Sequence, residues 1–68
     1  MKNRVKLLCL KNGINNYKEF ALKFGIGEIK AQAIWNEEAV LEFELLEHLR
    51  KFFNCSTAYL LCLTENEA

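Results

Sequence analysis

Three thiols, one imidazole and several glutamate pairs are the side chains of this chain with reactive potential, and their spacing assigns them no reaction. Cys9, Cys55 and Cys62 are odd in number and show no metal-ligand spacing. Each stands beside apolar residues, which predicts reduced, partly buried thiols rather than a disulfide or a redox site. His48 is the only histidine and has no nearby Asp or Cys partner, so a histidine-rich metal site is excluded and the residue reads as helix surface. No Ser/His/Asp set and no phosphate-cradling glycine loop is present, and 68 residues leave little room for a substrate pocket. The glutamate pairs are most simply a solvated surface. The expectation is a non-enzyme with no catalytic residue, no metal and no cofactor, whose chemistry is binding.

Charge gives that binding a direction. The net charge is zero, but residues 1–36 carry seven basic side chains against two glutamates, a net of +5, and residues 37–68 carry two against seven, a net of −5. A basic half is what a phosphate-facing surface needs; ordinary solvated helix faces would produce the same pattern, since Lys and Glu are good helix formers.

The elements that would present these charges are helical. The chain is 51% apolar and 26% charged, with no proline, three glycines and few β-branched residues. It is one domain, 1–68, that buries about 60% of its unfolded surface and is correspondingly marginal. No apolar run approaches a membrane span, and the amino terminus lacks a secretory apolar region, so the expected location is cytoplasmic and away from membranes.

Residues 16–36, NYKEFALKFGIGEIKAQAIWN, are the most informative stretch. Asn16 can cap a helix; Phe20, Ala21 and Phe24 fall on one face of it; Gly25 ends it cheaply in a left-handed conformation. Ala31, Ile34 and Trp35 make the apolar stripe of a second helix, and small Ala21 permits the two to cross closely. A helix, a glycine-containing turn and a second helix form a helix-turn-helix unit, whose second helix can enter a DNA major groove. The other expected helices run from about Lys2 to Asn12, from about Glu42 to Phe53 and from Thr57 to about Cys62, with residues 37–41 as a loop. The expected core is Val5, Leu8, Phe20, Ala21, Phe24, Ile26, Ala31, Ile34, Leu46, Leu49, Phe53 and Leu60, with Trp35 at least half buried against the first or fourth helix.

In this order the pieces resemble the Cro/repressor family of small bacterial and phage helix-turn-helix regulators. Arg4, Val5, Leu8, Gly13 and Ile14 stand where that family's first helix and its stop have such residues. Phe20, Ala21, Phe24, Gly25 and Ile26 match its second helix and turn, and AIWN, closing at Asn36, is similar to the end of its third. The tail FFNCSTAYLLCLTE is the strongest local match, through Phe53, Asn54, Ser56, Thr57, Tyr59, Leu60, Leu61, Leu63 and Thr64. The resemblance spans residues 4–64 and implies an all-α, compact five-helix bundle, a lambda repressor-like DNA-binding domain with its helix-turn-helix at about 16–36.

The resemblance also implies a function, a transcriptional regulator that binds double-stranded operator DNA through its third helix. Asn16 and Tyr17 correspond to phosphate-touching positions, with Lys18 and Arg4 as weaker candidates. Glu28, Ile29, Gln32 and Ala33 stand where the third helix faces base edges, and Lys30 is close enough for the DNA backbone. The Gln32 amide suits adenine N6 and N7, Glu28 a cytosine amino group, and Ile29 a thymine methyl. Useful specificity needs two half-sites, so a homodimer is expected, joined through Cys55, Tyr59 and Leu63, with Leu7 and Leu10 as further contributors. Two departures from the family stand out. Gly27 replaces a common Ser or Thr, and Glu37 and Glu38 replace a common Gly and basic residue. Leu7 and Leu10 also make the first helix apolar nearly all round, which points either to cover by Leu60, Leu61 and Leu63 or to a partner surface. The alternative function is therefore a protein-interaction module on the same fold, with a protein partner as an antirepressor, antitoxin or accessory factor would have, and with weak or no specific DNA binding.

Overall fold

A computed structural model describes residues 2–66. Among them the chain forms five helices and no strand: α1 Val5–Lys11, α2 Tyr17–Phe24, α3 Glu28–Trp35, α4 Phe43–Phe53 and α5 Thr57–Leu60. The fold is all-α, as the sequence implies.

Local chemistry sets most of the ends. The Asn16 side chain accepts from the backbone N–H of Glu19 at 2.9 Å, while the Glu19 carboxylate takes the Asn15 N–H at 2.9 Å. Two orphan donors at the start of α2 are satisfied reciprocally. Gly25, at φ 66°, closes α2, and the Ile26 N–H reaches back to the Ala21 carbonyl at 3.0 Å. Asn54 does the same for α4 at φ 54°, a conformation asparagine tolerates better than most residues. Ser56 caps α5 by accepting from the Tyr59 N–H at 3.1 Å. Two helices are shorter than expected. α5 stops at Leu60 because Cys62 turns left-handed, at φ 62°. α1 begins at Val5, not Lys2, because the Asn3 side-chain oxygen accepts the Val5 N–H at 3.0 Å and holds the chain before it out of the helix.

α3 starts without a side-chain cap, since residue 27 is glycine. Gly27 has ordinary extended backbone, φ −67° and ψ 150°, and an added Cβ would meet nothing within 4 Å. Gly27→Ser should therefore stabilise the fold by about 0.3–1 kcal/mol, by supplying the missing cap and removing unfolded-state freedom. A shift of the urea midpoint upward at unchanged slope is the expected reading; a downward shift would show the cap geometry is wrong.

α2 and α3 pack on each other more extensively than any other helix pair. Fully buried Phe20, Ile34, Leu49, Leu60, Val5 and Cys9 fill the centre. Of the expected core, Ile26, Leu46 and Phe53 are only partly buried and pack against its edge. α4 buries Leu49 as expected, but it is rotated so that Leu45 points inward with it while Leu46 and Phe53 lie at the edge. Cys9, Ile14, Leu41, Cys55 and Tyr59 join the core as well. Trp35 is buried, 6.1 Å from the Phe20 ring, so α2 is its aromatic neighbour in addition to α1, whose Leu7 and Leu10 share a groove with it.

The two ends of the chain are stitched together by polar contacts. Arg4 donates through Nη1 to the Tyr59 carbonyl and, at 3.0 Å, to the Thr64 carbonyl. Its guanidinium lies 4.1 Å from the Tyr59 ring centroid, and Nη2 is 3.4 Å from Glu65. Buried Asn3 donates its amide to the Ile34 carbonyl at 3.2 Å, tying the start of α1 to the end of α3.

Candidate functional site

The turn between α2 and α3 is three residues, Gly25, Ile26 and Gly27. It leaves α3 with Ala31, Ile34 and Trp35 buried and Glu28, Ile29, Gln32 and Asn36 exposed along its outer side. Ala33 is half-buried at the border of that face. Gln32 sits near its middle, three residues after Ile29 and four before Asn36, the spacing that keeps side chains on one helix face. Asn36, the residue that closes α3, is exposed in line with them and is not among the positions expected from the sequence. The signal was available, because Asn36 follows Ile29 by seven positions and so lies two turns along the same stripe.

Each remaining residue expected to touch DNA has a definite place. Asn16 and Lys18 are exposed at the start of α2, and Tyr17 is half-buried against the core edge. The Asn16 oxygen is committed to its cap, and its amide donates to the Glu19 carboxylate at 3.4 Å, a long bond that can be exchanged. Arg4 is not a surface cation: its side chain is 13% exposed and is taken up by the carboxyl-terminal carbonyls, so it is a clamp of the fold. Lys30, only partly exposed, pairs with Glu42 at the start of α4.

The glutamates after α3, both exposed, differ in their partners. The Glu37 carboxylate accepts the Asn3 N–H at 3.1 Å, so it is drawn toward the start of α1. Glu37 takes φ 60°, and the Glu38 N–H bonds the Ala33 carbonyl at 2.8 Å, which folds the loop back over the end of α3. Glu28, Glu37 and Glu38 are the exposed carboxylates closest in sequence to the outer face of α3, and Glu42 is on Lys30.

Exposed apolar side chains add a second character to the surface. Ile29 is 87% exposed, Leu22 86%, Phe43 75% and Val40 68%. Leu7 and Leu10, each 46% exposed, line an open groove of about 550 Å³ with Trp35, Lys6, Asn36 and Glu37. The carboxyl-terminal leucines therefore do not cover them: Leu60 is buried deeper in the core and Leu63 is itself exposed. Of the residues expected at a dimer contact, Cys55 and Tyr59 are buried in the single chain and Leu63 presents an open apolar surface.

The reactive groups are placed quietly. Burial pushes the Cys9 thiol up to about 12, so at neutral pH it is a packed apolar side chain and not a nucleophile. His48 is exposed, its ring centroid 5.1 Å from that of Phe24 in an edge-to-face arrangement. Among the described residues, no group of three or more His, Cys, Asp or Glu side chains is arranged to hold a metal, and no helix is long and apolar enough to cross a membrane. Comparison with known protein families, with curated proteins and with solved structures gives no match to this chain.

Proposed function

We propose that this protein is a sequence-specific DNA-binding transcriptional regulator of the Cro/repressor type, working in the cytoplasm as a homodimer on operator DNA. The observation that carries this reading is the α2–turn–α3 unit, in which a three-residue turn leaves Ile29, Gln32, Ala33 and Asn36 on the outer side of α3. A helix offered this way can enter a major groove. Amide side chains at Gln32 and Asn36 are suited to the paired donor and acceptor of adenine, and Ile29 to a thymine methyl. Asn16 and Lys18 at the start of α2 would hold the phosphate backbone, which fixes register while base contacts give discrimination.

Gln32→Ala tests it. In gel-shift titrations against a duplex selected by the unmodified protein, the variant should lose about 1–3 kcal/mol and relax its preference at one base pair per half-site. Equal loss against every sequence would make Gln32 a backbone contact and move the reading face elsewhere on α3.

A second reading, a protein-interaction module on the same fold, is favoured by a different observation. Ile29, Val40 and Phe43 are largely exposed apolar side chains, and Glu28, Glu38, Glu42 and Glu44 stand beside them in sequence. Binding to a protein through such a surface would persist as salt rises, whereas binding to DNA through several phosphates would fall steeply.

A further inference from the structure

We infer that Glu42 is an internal competitor for the phosphate backbone, holding the one cation of α3 until DNA displaces it. This rests on the DNA reading above. Lys30 is the only basic residue in α3, whose sequence is EIKAQAIW. Its ammonium is paired with the Glu42 carboxylate, and Glu42 is the residue that precedes α4. At that position a short polar side chain would ordinarily fold back onto the first N–H groups of its helix. Glu42 makes no such cap; its carboxylate goes across to α3. The pair therefore spans two helices at the edge of a small cleft formed with Phe24, Ile26, Leu45 and His48.

A carboxylate and a phosphate oxygen are the same kind of partner for an ammonium, so they compete for it. With Glu42 in place, the Lys30 charge is neutralised before DNA arrives, and binding has to exchange one ion pair for another. The Lys30 and Glu42 side chains are 41% and 68% exposed. Pairs this open to solvent are worth about 0.2–1 kcal/mol, which corresponds to a competition of about 1.4- to fivefold in affinity. It lets the protein bind weakly to phosphate in general and reserve Lys30 for sites where α3 is already seated.

A double-mutant cycle on the full chain separates this exchange from simple removal of a negative charge. Glu42→Gln should raise affinity for a 20-base-pair duplex in the native Lys30 protein by a factor about 1.4–5 larger than in a Lys30→Gln background. Glu44→Gln, which removes a neighbouring charge but frees no lysine, should give equal gains in both. A readout without DNA accompanies it: Glu42→Gln should speed acetylation of Lys30 by an N-hydroxysuccinimide ester, followed by peptide mass spectrometry, while leaving Lys23 unchanged. Equal gains from Glu42→Gln in both backgrounds, or an unaltered Lys30 acetylation rate, overturn the inference and leave the DNA reading standing. A native protein that retards no duplex at low salt overturns both, and accelerated acetylation in the variant would then show that the ion pair exists with no nucleic-acid role.

Discussion

Replacing Phe24 with alanine should destabilise this protein by about 3–5 kcal/mol, about a third or more of its total stability. Phe24 is buried at the end of α2, where four rings surround it: Phe20 at 5.3 Å, His48 and Phe52 each at 5.1 Å, and Phe53 at 6.2 Å between centroids. It is the side chain that joins the α2–α3 pair to α4. Truncation removes its apolar transfer energy and leaves a cavity that rigid aromatic neighbours cannot fill, a loss of about 3–5 kcal/mol. A domain of this length has a total stability of about 3–10 kcal/mol. Helical circular dichroism should therefore be largely lost or show a melting temperature lower by more than about 15 °C, given roughly 4–8 °C per kcal/mol for domains of this size. Phe24→Leu, which keeps most of the volume, should retain the fold with a loss of less than about 1.5 kcal/mol. Near-native stability of the alanine variant would mean that α4 does not pack where the structure puts it.

The second large effect belongs to Arg4, and it separates two roles the sequence leaves confounded. A surface cation reaching for phosphate could be removed with little change in stability. A clamp on the partly buried carbonyls of α5 and the segment after it could not. Arg4→Met keeps the apolar stem and removes the charge, so the Thr64 carbonyl loses its Arg4 donor, the Tyr59 carbonyl keeps only the Cys62 N–H, and the Tyr59 ring loses its cation. Hydrogen bonds from a charged donor are worth about 1.5–3 kcal/mol, so a loss of about 2–4 kcal/mol in urea titration is expected. Glu65→Gln should cost less than about 0.5 kcal/mol, because that partner is 98% exposed and its pair is screened. A stable Arg4→Met protein would return Arg4 to the surface and loosen the attachment of α5 to α1.

These two residues also mark what could be read from the chain and what could not. α2 and α3 were legible to within a residue, since Asn16, Gly25 and the stripes at Phe20, Ala21, Phe24 and at Ala31, Ile34, Trp35 are local signals obeying helical spacing. The rotation of α4 was not. Leu45, Leu46, Leu49, Phe52 and Phe53 cover so wide an arc that several rotations bury three of them, and only packing against Phe24 and the α5 segment selects Leu45 and Leu49. The clamps were invisible for another reason: Asn3 bonds a carbonyl 31 residues away and Arg4 one 60 residues away, and no local pattern encodes such a pairing. The same holds for the site. The outer stripe of α3 follows from periodicity, but the capture of Lys30 by Glu42, the bond from the Asn3 N–H to Glu37 and the burial of Cys55 and Tyr59 are tertiary outcomes. Leu63 and the Leu7–Leu10–Trp35 groove, by contrast, are open in the single chain.

The most direct measurement of the central proposal is selection from a pool of random duplexes by the unmodified protein at low salt, followed by sequencing. A DNA-reading α3 on a two-fold dimer predicts an enriched inverted repeat, its half-sites about 10 base pairs apart centre to centre, with an A·T pair in each half-site whose enrichment is lost with Gln32→Ala. Retention of the pool without any enriched motif, or no retention at all, would contradict it and leave the exposed apolar surface at Ile29, Val40 and Phe43 as the face through which this protein meets a protein partner.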